Sequence, residues 1–77
     1  MINKKLSTER KQEIDKMLKS VYDALNEKGY NAINQIWGYV LTEDETYITT
    51  HKNARKLISE FDRDELGYYL LESYFKL

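Results

Sequence analysis

The chain has 77 residues, a formal net charge of -1, no cysteine, no proline and one histidine, which is the length of a single domain whose core is only marginally sufficient. Without cysteine there is neither a disulfide framework nor a thiolate metal site to supplement that core, and the composition suits a reducing compartment. The near-balanced charge argues against a general polyanion binder. No apolar run approaches the ~20 residues that span a bilayer, and no segment of signal-peptide length follows the amino-terminal lysines, so a cytoplasmic location without membrane insertion is expected. The device left to support a small core is association with a second copy.

Residues 1–7 read as a short flexible arm carrying Lys4 and Lys5, with Ser7 or Thr8 able to cap the helix that follows and Glu9 at its positive end. Ile14, Met17, Leu18, Val21, Tyr22 and Leu25 then recur at intervals of three and four, one face of a helix of about five turns. Gly29 stands where that helix needs a residue tolerant of the left-handed conformation, and Asn31 suits an N-cap for the next. The second helix, from about Ala32 to Leu41, is apolar around much of its circumference, which predicts a central position. Gly38 beside Trp37 would let another backbone come close.

Thr46-Tyr47-Ile48-Thr49 is β-branched and aromatic enough for a short extended segment near Tyr47-Ile48, but no larger sheet is supported. Thr50 would cap a third helix with Ala54, Leu57, Ile58 and Phe61 inward. Asp62 and Glu65 have capping-box spacing, so a fourth helix starts at Arg63 after a kink or break. It carries two apolar stripes, Leu66, Tyr69, Leu70, Ser73 and Tyr74 on one side and Tyr68, Leu71 and Phe75 beside it. One small domain has difficulty covering both; the surplus reads either as a dimer surface including Trp37, Tyr39, Tyr68, Leu71 and Phe75, or as a fraying helix with exposed tyrosines. The fold class is therefore all-α, a compact bundle of about four helices in one domain, assembled as a symmetric homodimer.

His51 has no second soft ligand and no nucleophile at suggestive spacing, so neither a catalytic site nor a metal or cofactor site is expected. The carboxylates at 43–45 and 60–65 lack the spacing of a calcium loop and read as caps and solvated groups. Lys52, Arg55 and Lys56 would share a helical ridge next to His51, with Arg63 further on. Such a ridge reads as a solvated face, as a docking surface for a protein, or as the recognition helix of a small nucleic-acid-binding regulator. The long 42–49 connection and the net charge disfavour the last of these.

Lys28-Gly29-Tyr30-Asn31, Ile33-Asn34-Gln35-Ile36, Gly38-Tyr39, Tyr47-Ile48, His51-Lys52-Asn53-Ala54-Arg55 and Arg63-Asp64-Glu65 resemble the signature of the IreB family, small cytoplasmic regulatory phosphoproteins of Gram-positive bacteria. The resemblance runs in one order from about Glu13 to Tyr74 and leaves the first ten or so residues unmatched. It implies a homodimer, and phosphorylation of an arm threonine by a membrane serine/threonine kinase with extracellular cell-wall-binding repeats, reversed by a cognate phosphatase. It also implies a role in peptidoglycan homeostasis and tolerance of cell-wall-active antibiotics, through the Clp protease machinery and an early peptidoglycan-synthesis enzyme. Family arms are acidic around the threonine and carry a following phenylalanine, whereas this arm is basic and has neither; Thr8 and Ser7 are its only hydroxyls, and each can equally serve as a cap alone. By the same resemblance, His51, Lys52, Asn53, Arg55, Arg63 and Asp64 form the surface offered to a partner.

Overall fold

The computed structural model describes residues 6–76. Helix α1 (Thr8–Glu27) is capped by Ser7, whose hydroxyl accepts the Arg10 backbone N–H at 3.0 Å. Its inner face buries Ile14, Met17, Val21, Ala24 and Leu25, while Tyr22, at the edge of the expected stripe, is exposed. The helix ends in a complete Schellman motif: the Tyr30 N–H donates to the Leu25 carbonyl and the Gly29 N–H to that of Asn26, both at 3.0 Å, with Gly29 at φ 82°. Two residues later Asn31 Oδ1 accepts the Asn34 N–H at 3.1 Å and opens α2 (Ala32–Thr42). The tight corner expected between the first two helices is therefore built from one glycine and one asparagine side chain.

After α2 the chain makes a 3-10 turn over Glu45–Tyr47, with Asp44 Oδ1 accepting from both the Thr46 N–H and its hydroxyl. The extended segment expected at Tyr47-Ile48 reduces to Ile48, at φ -110° and ψ 126°, whose side chain is completely buried. A second 3-10 turn, His51–Asn53, precedes α3 (Ala54–Ser59). Lys52 and Asn53 both have positive φ, 52° and 61°, so the third helix starts three residues later than its spacing suggests. The Thr50 side chain makes no capping hydrogen bond, although its carbonyl accepts the Asn53 N–H; Thr49 supplies the side-chain contact, its hydroxyl accepting the His51 N–H and its carbonyl the Arg55 N–H. The break at Asp62 is real, and α4 (Arg63–Phe75) begins there with Glu65 Oε1 accepting the Asp62 N–H at 3.3 Å.

The central element is α1, which packs against α2, α3 and α4 in turn. Leu6, Ile48, Ala54, Ile58 and Leu66 close the core around it together with Ala32 and Tyr39. Of the flexible arm expected over residues 1–7, Leu6 is buried in the core and Ser7 caps α1; Met1 to Lys5, with Lys4 and Lys5, lie outside the described residues. The second helix is not central. It packs one side on α1 and leaves Ile33, Trp37 and Leu41 exposed, because a helix apolar all round can hide only one face in a domain this small. Gly38 does admit a close neighbour, but that neighbour is the ring of Tyr47 and not a backbone.

Candidate functional site

The exposed sides of α1 and α2, with the start of the second half of α4, form an open groove of about 570 Å³. Leu18 and Tyr22 supply one wall, Ile33, Ile36, Trp37 and Val40 the other, and Tyr69 and Leu70 one end. Ile33 is 65% exposed and Trp37 58%, values that leave most of two large apolar side chains facing water. Asp15, Lys19 and Asp23 stand on the rim. A separate apolar surface lies on the outer side of α4, where Leu71 and Phe75 are exposed and the rings of Tyr74 and Phe75 meet edge to face at 5.0 Å.

The five residues expected at a dimer surface are thus distributed unequally. Trp37 lines the groove, and Leu71 and Phe75 belong to the outer face of α4. Tyr68 is half-buried against the core, and Tyr39, at 5% exposure, is part of the core itself and presents almost nothing to a second molecule. The stripes expected on α4 also change. Its inner face is Leu66, Tyr69 and Glu72, whereas Leu70, Ser73 and Tyr74 turn outward.

Besides the burial of Leu66, several polar pairs attach α4 to α1. The Arg10 guanidinium donates from Nε and Nη2 to the two oxygens of Glu65 at 2.9 and 2.8 Å, and lies 4.3 Å from the centre of the Phe61 ring. Glu65 and then Glu13 raise its proton affinity above the ordinary arginine value. Lys11 Nζ stands 3.2 Å from Glu72 Oε1. The Tyr69 hydroxyl donates to Asp15 Oδ1 at 2.8 Å. Hydrogen bonds from Lys19 and then Tyr69 hold the Asp15 carboxyl below the usual range, while burial and then Asp15 push the Tyr69 phenol up.

The polar residues expected to form one partner surface divide into two groups. His51 Nε2 and Lys52 Nζ lie 2.8 and 3.0 Å from the two oxygens of Glu27, at the carboxyl end of α1. These two contacts, His51 first, depress the Glu27 carboxyl below its ordinary value. Asn53 is exposed beside them. Arg63, with exposed Asp64 next to it, donates to the Leu41 carbonyl at 3.0 Å at the start of α4, near Glu43. Since Glu65, two residues beyond Arg63, is tied to Arg10, the groups lie near opposite ends of α1, ~25 Å apart by the rise of an α-helix.

The expected ridge of Lys52, Arg55 and Lys56 is also broken. Lys52 lies outside α3 and turns to Glu27, and Arg55 Nε donates to the Ile48 carbonyl at 2.9 Å. Among the described residues, no group of three or more histidine or acidic side chains is placed to hold a metal ion. No described helix is long and apolar enough to cross a membrane.

Sequence reasoning missed the groove as such because Leu18, Tyr22, Ile33 and Leu70 read as ordinary inner positions. The available signal is the surplus of apolar residues on α2, which spacing alone assigns to a central position.

The fold and the groove define a small all-α domain whose distinctive features are surfaces. A family model described as "IreB regulatory phosphoprotein" matches residues 1–76. A "UPF0297 protein" of Ruminiclostridium cellulolyticum is 49% identical over 70 residues, which cover 91% of this chain and 80% of that relative. The chain belongs to the IreB family, and a regulatory role follows from the family's description.

Proposed function

We propose that the chain is a non-enzymatic cytoplasmic regulator that works by binding proteins, as a symmetric homodimer joined through the groove. The groove carries this reading: a contiguous apolar depression holding Trp37, Ile33 and Leu70 is costly to leave wet, and it is of the kind that marks an interaction site. A two-fold arrangement lets the same patch serve both copies and supplies the burial that a 77-residue core lacks. The outer face of α4 and the two charged groups at the ends of α1 then remain for other partners.

Kinase control extends the reading to the first turn of α1. Ser7 and Thr8 are exposed, and a phosphate on either stands at the positive end of α1. By the family resemblance, a serine/threonine kinase and a cognate phosphatase act on this turn. The regulated process is peptidoglycan homeostasis, with tolerance of cell-wall-active antibiotics as its outward sign, through Clp proteolysis of an early peptidoglycan-synthesis enzyme. A nucleic-acid-binding role is not favoured, since the ridge it would need is dispersed.

Sedimentation equilibrium tests the binding surface. The expected result is a dimer that Ile33→Glu converts to a monomer of unchanged helical circular dichroism; a wild-type chain that stays monomeric at every concentration overturns the dimer. Intact mass after incubation with the host kinase and ATP tests control. One added phosphate mapped to Ser7 or Thr8 supports it, and no addition while a known substrate is labelled alongside removes it.

A further inference from the structure

We infer that α4 is a charge-latched flap on α1, and that a phosphate on Thr8 releases it by drawing Lys11 away from Glu72. The inference rests on the phospho-control reading above for the origin of the phosphate, but the latch itself is a property of the described contacts.

The apolar hold on α4 is slight. Leu66 is its one completely buried hydrophobic side chain; Tyr68 and Tyr69 are half-buried, and Leu70, Leu71, Tyr74 and Phe75 face outward. Beyond Leu66 the hold combines the partial packing of Tyr68 and Tyr69 with the polar pairs, of which Lys11 with Glu72 lies furthest along the helix. Glu72 is unusual for a carboxylate in so small a protein, with 8% of its surface exposed. Among the described residues no hydrogen-bond donor satisfies its enclosed Oε1, so the Lys11 ammonium at 3.2 Å is what compensates the charge. A buried carboxylate that loses its counter-charge must reach water. For the enclosed Oε1 of Glu72, movement of the last turns of α4 gives access to water.

Thr8 is placed to trigger that loss. It lies one turn before Lys11 on α1, and the two residues border the same cleft between α1 and α4, together with Gln12, Asp15, Lys16 and Tyr69. Phosphorylation forms a bond from Thr8 Oγ1 to the γ-phosphorus of ATP and breaks the bond from that phosphorus to the β,γ-bridging oxygen. ADP leaves and the hydroxyl proton passes to the kinase's base. The product carries about two negative charges at neutral pH, against one on Glu72, and residues three apart on a helix face one another. The dianion is also favoured where it stands, at the amino-terminal end of α1. Lys11 therefore exchanges a buried monoanion for a solvated dianion. Because Tyr69 and Leu70 close one end of the groove, movement of α4 opens that end and couples the modified turn to the binding surface.

The test is amide hydrogen exchange on the full chain made by chemical synthesis with phosphothreonine or threonine at position 8, so that failure of a kinase to label the chain bears on the regulatory reading alone. The expected result is at least tenfold faster exchange over residues 69–75 in the phosphorylated chain, with protection around Val21 and Ile58 unchanged. Lys11→Met without phosphate should reproduce it, and Glu72→Gln should make α4 indifferent to the phosphate. Unchanged exchange in α4, or equal acceleration in α1 and α3, overturns the latch.

Discussion

The ring of Tyr47 occupies the space in which a side chain at position 38 would place its first carbon, so Gly38 and Tyr47 fit together only as glycine and aromatic. Elsewhere in a helix, alanine is favoured over glycine by about 1 kcal/mol. Here Gly38→Ala is expected to destabilise by about 1–2 kcal/mol through overpacking. In a Tyr47→Ala background the same change should instead stabilise. Urea unfolding of the four chains of this cycle measures both signs, and a stabilising Gly38→Ala in the wild-type background refutes the close fit.

Arg10 binds both oxygens of Glu65 and covers the face of Phe61, a geometry that needs a planar fork. Arg10→Lys keeps the charge and loses the second hydrogen bond and the stacking. A loss of about 1–2 kcal/mol is expected by thermal or urea unfolding. An unchanged midpoint would mean that the charge alone mattered.

Lys52 and Asn53 lie in succession in the left-handed region, and at position 53 asparagine is the tolerable choice among residues with a side chain. Asn53→Ala should cost about 1 kcal/mol, whereas Asn53→Gly should be neutral or slightly stabilising. Chemical denaturation separates the two; equal losses would show that the amide, and not the backbone angle, sets the preference.

Acid should weaken the fold from the carboxylates whose folded-state proton affinity is depressed. Glu27, held by His51 and Lys52, and Asp15, held by Lys19 and Tyr69, both fall in this class. The unfolded chain binds protons at these groups first as pH drops, so their contribution is complete above the ordinary carboxylate range and is lost as pH falls through the folded values. The urea midpoint should therefore decline on acidification, and the decline should be shallower in Glu27→Gln. Parallel pH profiles for the two chains would remove Glu27 from the account.

The helices were legible because each boundary is written in local chemistry: Gly29 and Asn31 at the first corner, Asp62 with Glu65 at the last, and periodic apolar residues between them. The 48–54 segment was not, since its course is fixed by contacts distant in sequence. Glu27 holds His51 and Lys52, the Ile48 carbonyl holds Arg55, and the result is a left-handed pair where spacing alone continues a helix. The inner face of α4 was misread for a related reason. Glu72 looks like a solvent residue until Lys11 is brought across from α1, and the attachment of Tyr69 likewise depends on Asp15. Periodicity finds apolar faces and is silent about polar ones.

Trp37 is the chain's one tryptophan, and it stands more than half exposed in the groove wall. The molecule's tryptophan fluorescence, excited on the red edge where its seven tyrosines do not absorb, therefore comes from the surface on which association is proposed. Covering the groove, by a second copy or another protein, should move the emission to shorter wavelength and shield it from a soluble quencher such as iodide. An unlabelled chain thus reports occupancy of its own groove, and a dilution series in a fluorimeter follows assembly without any added probe.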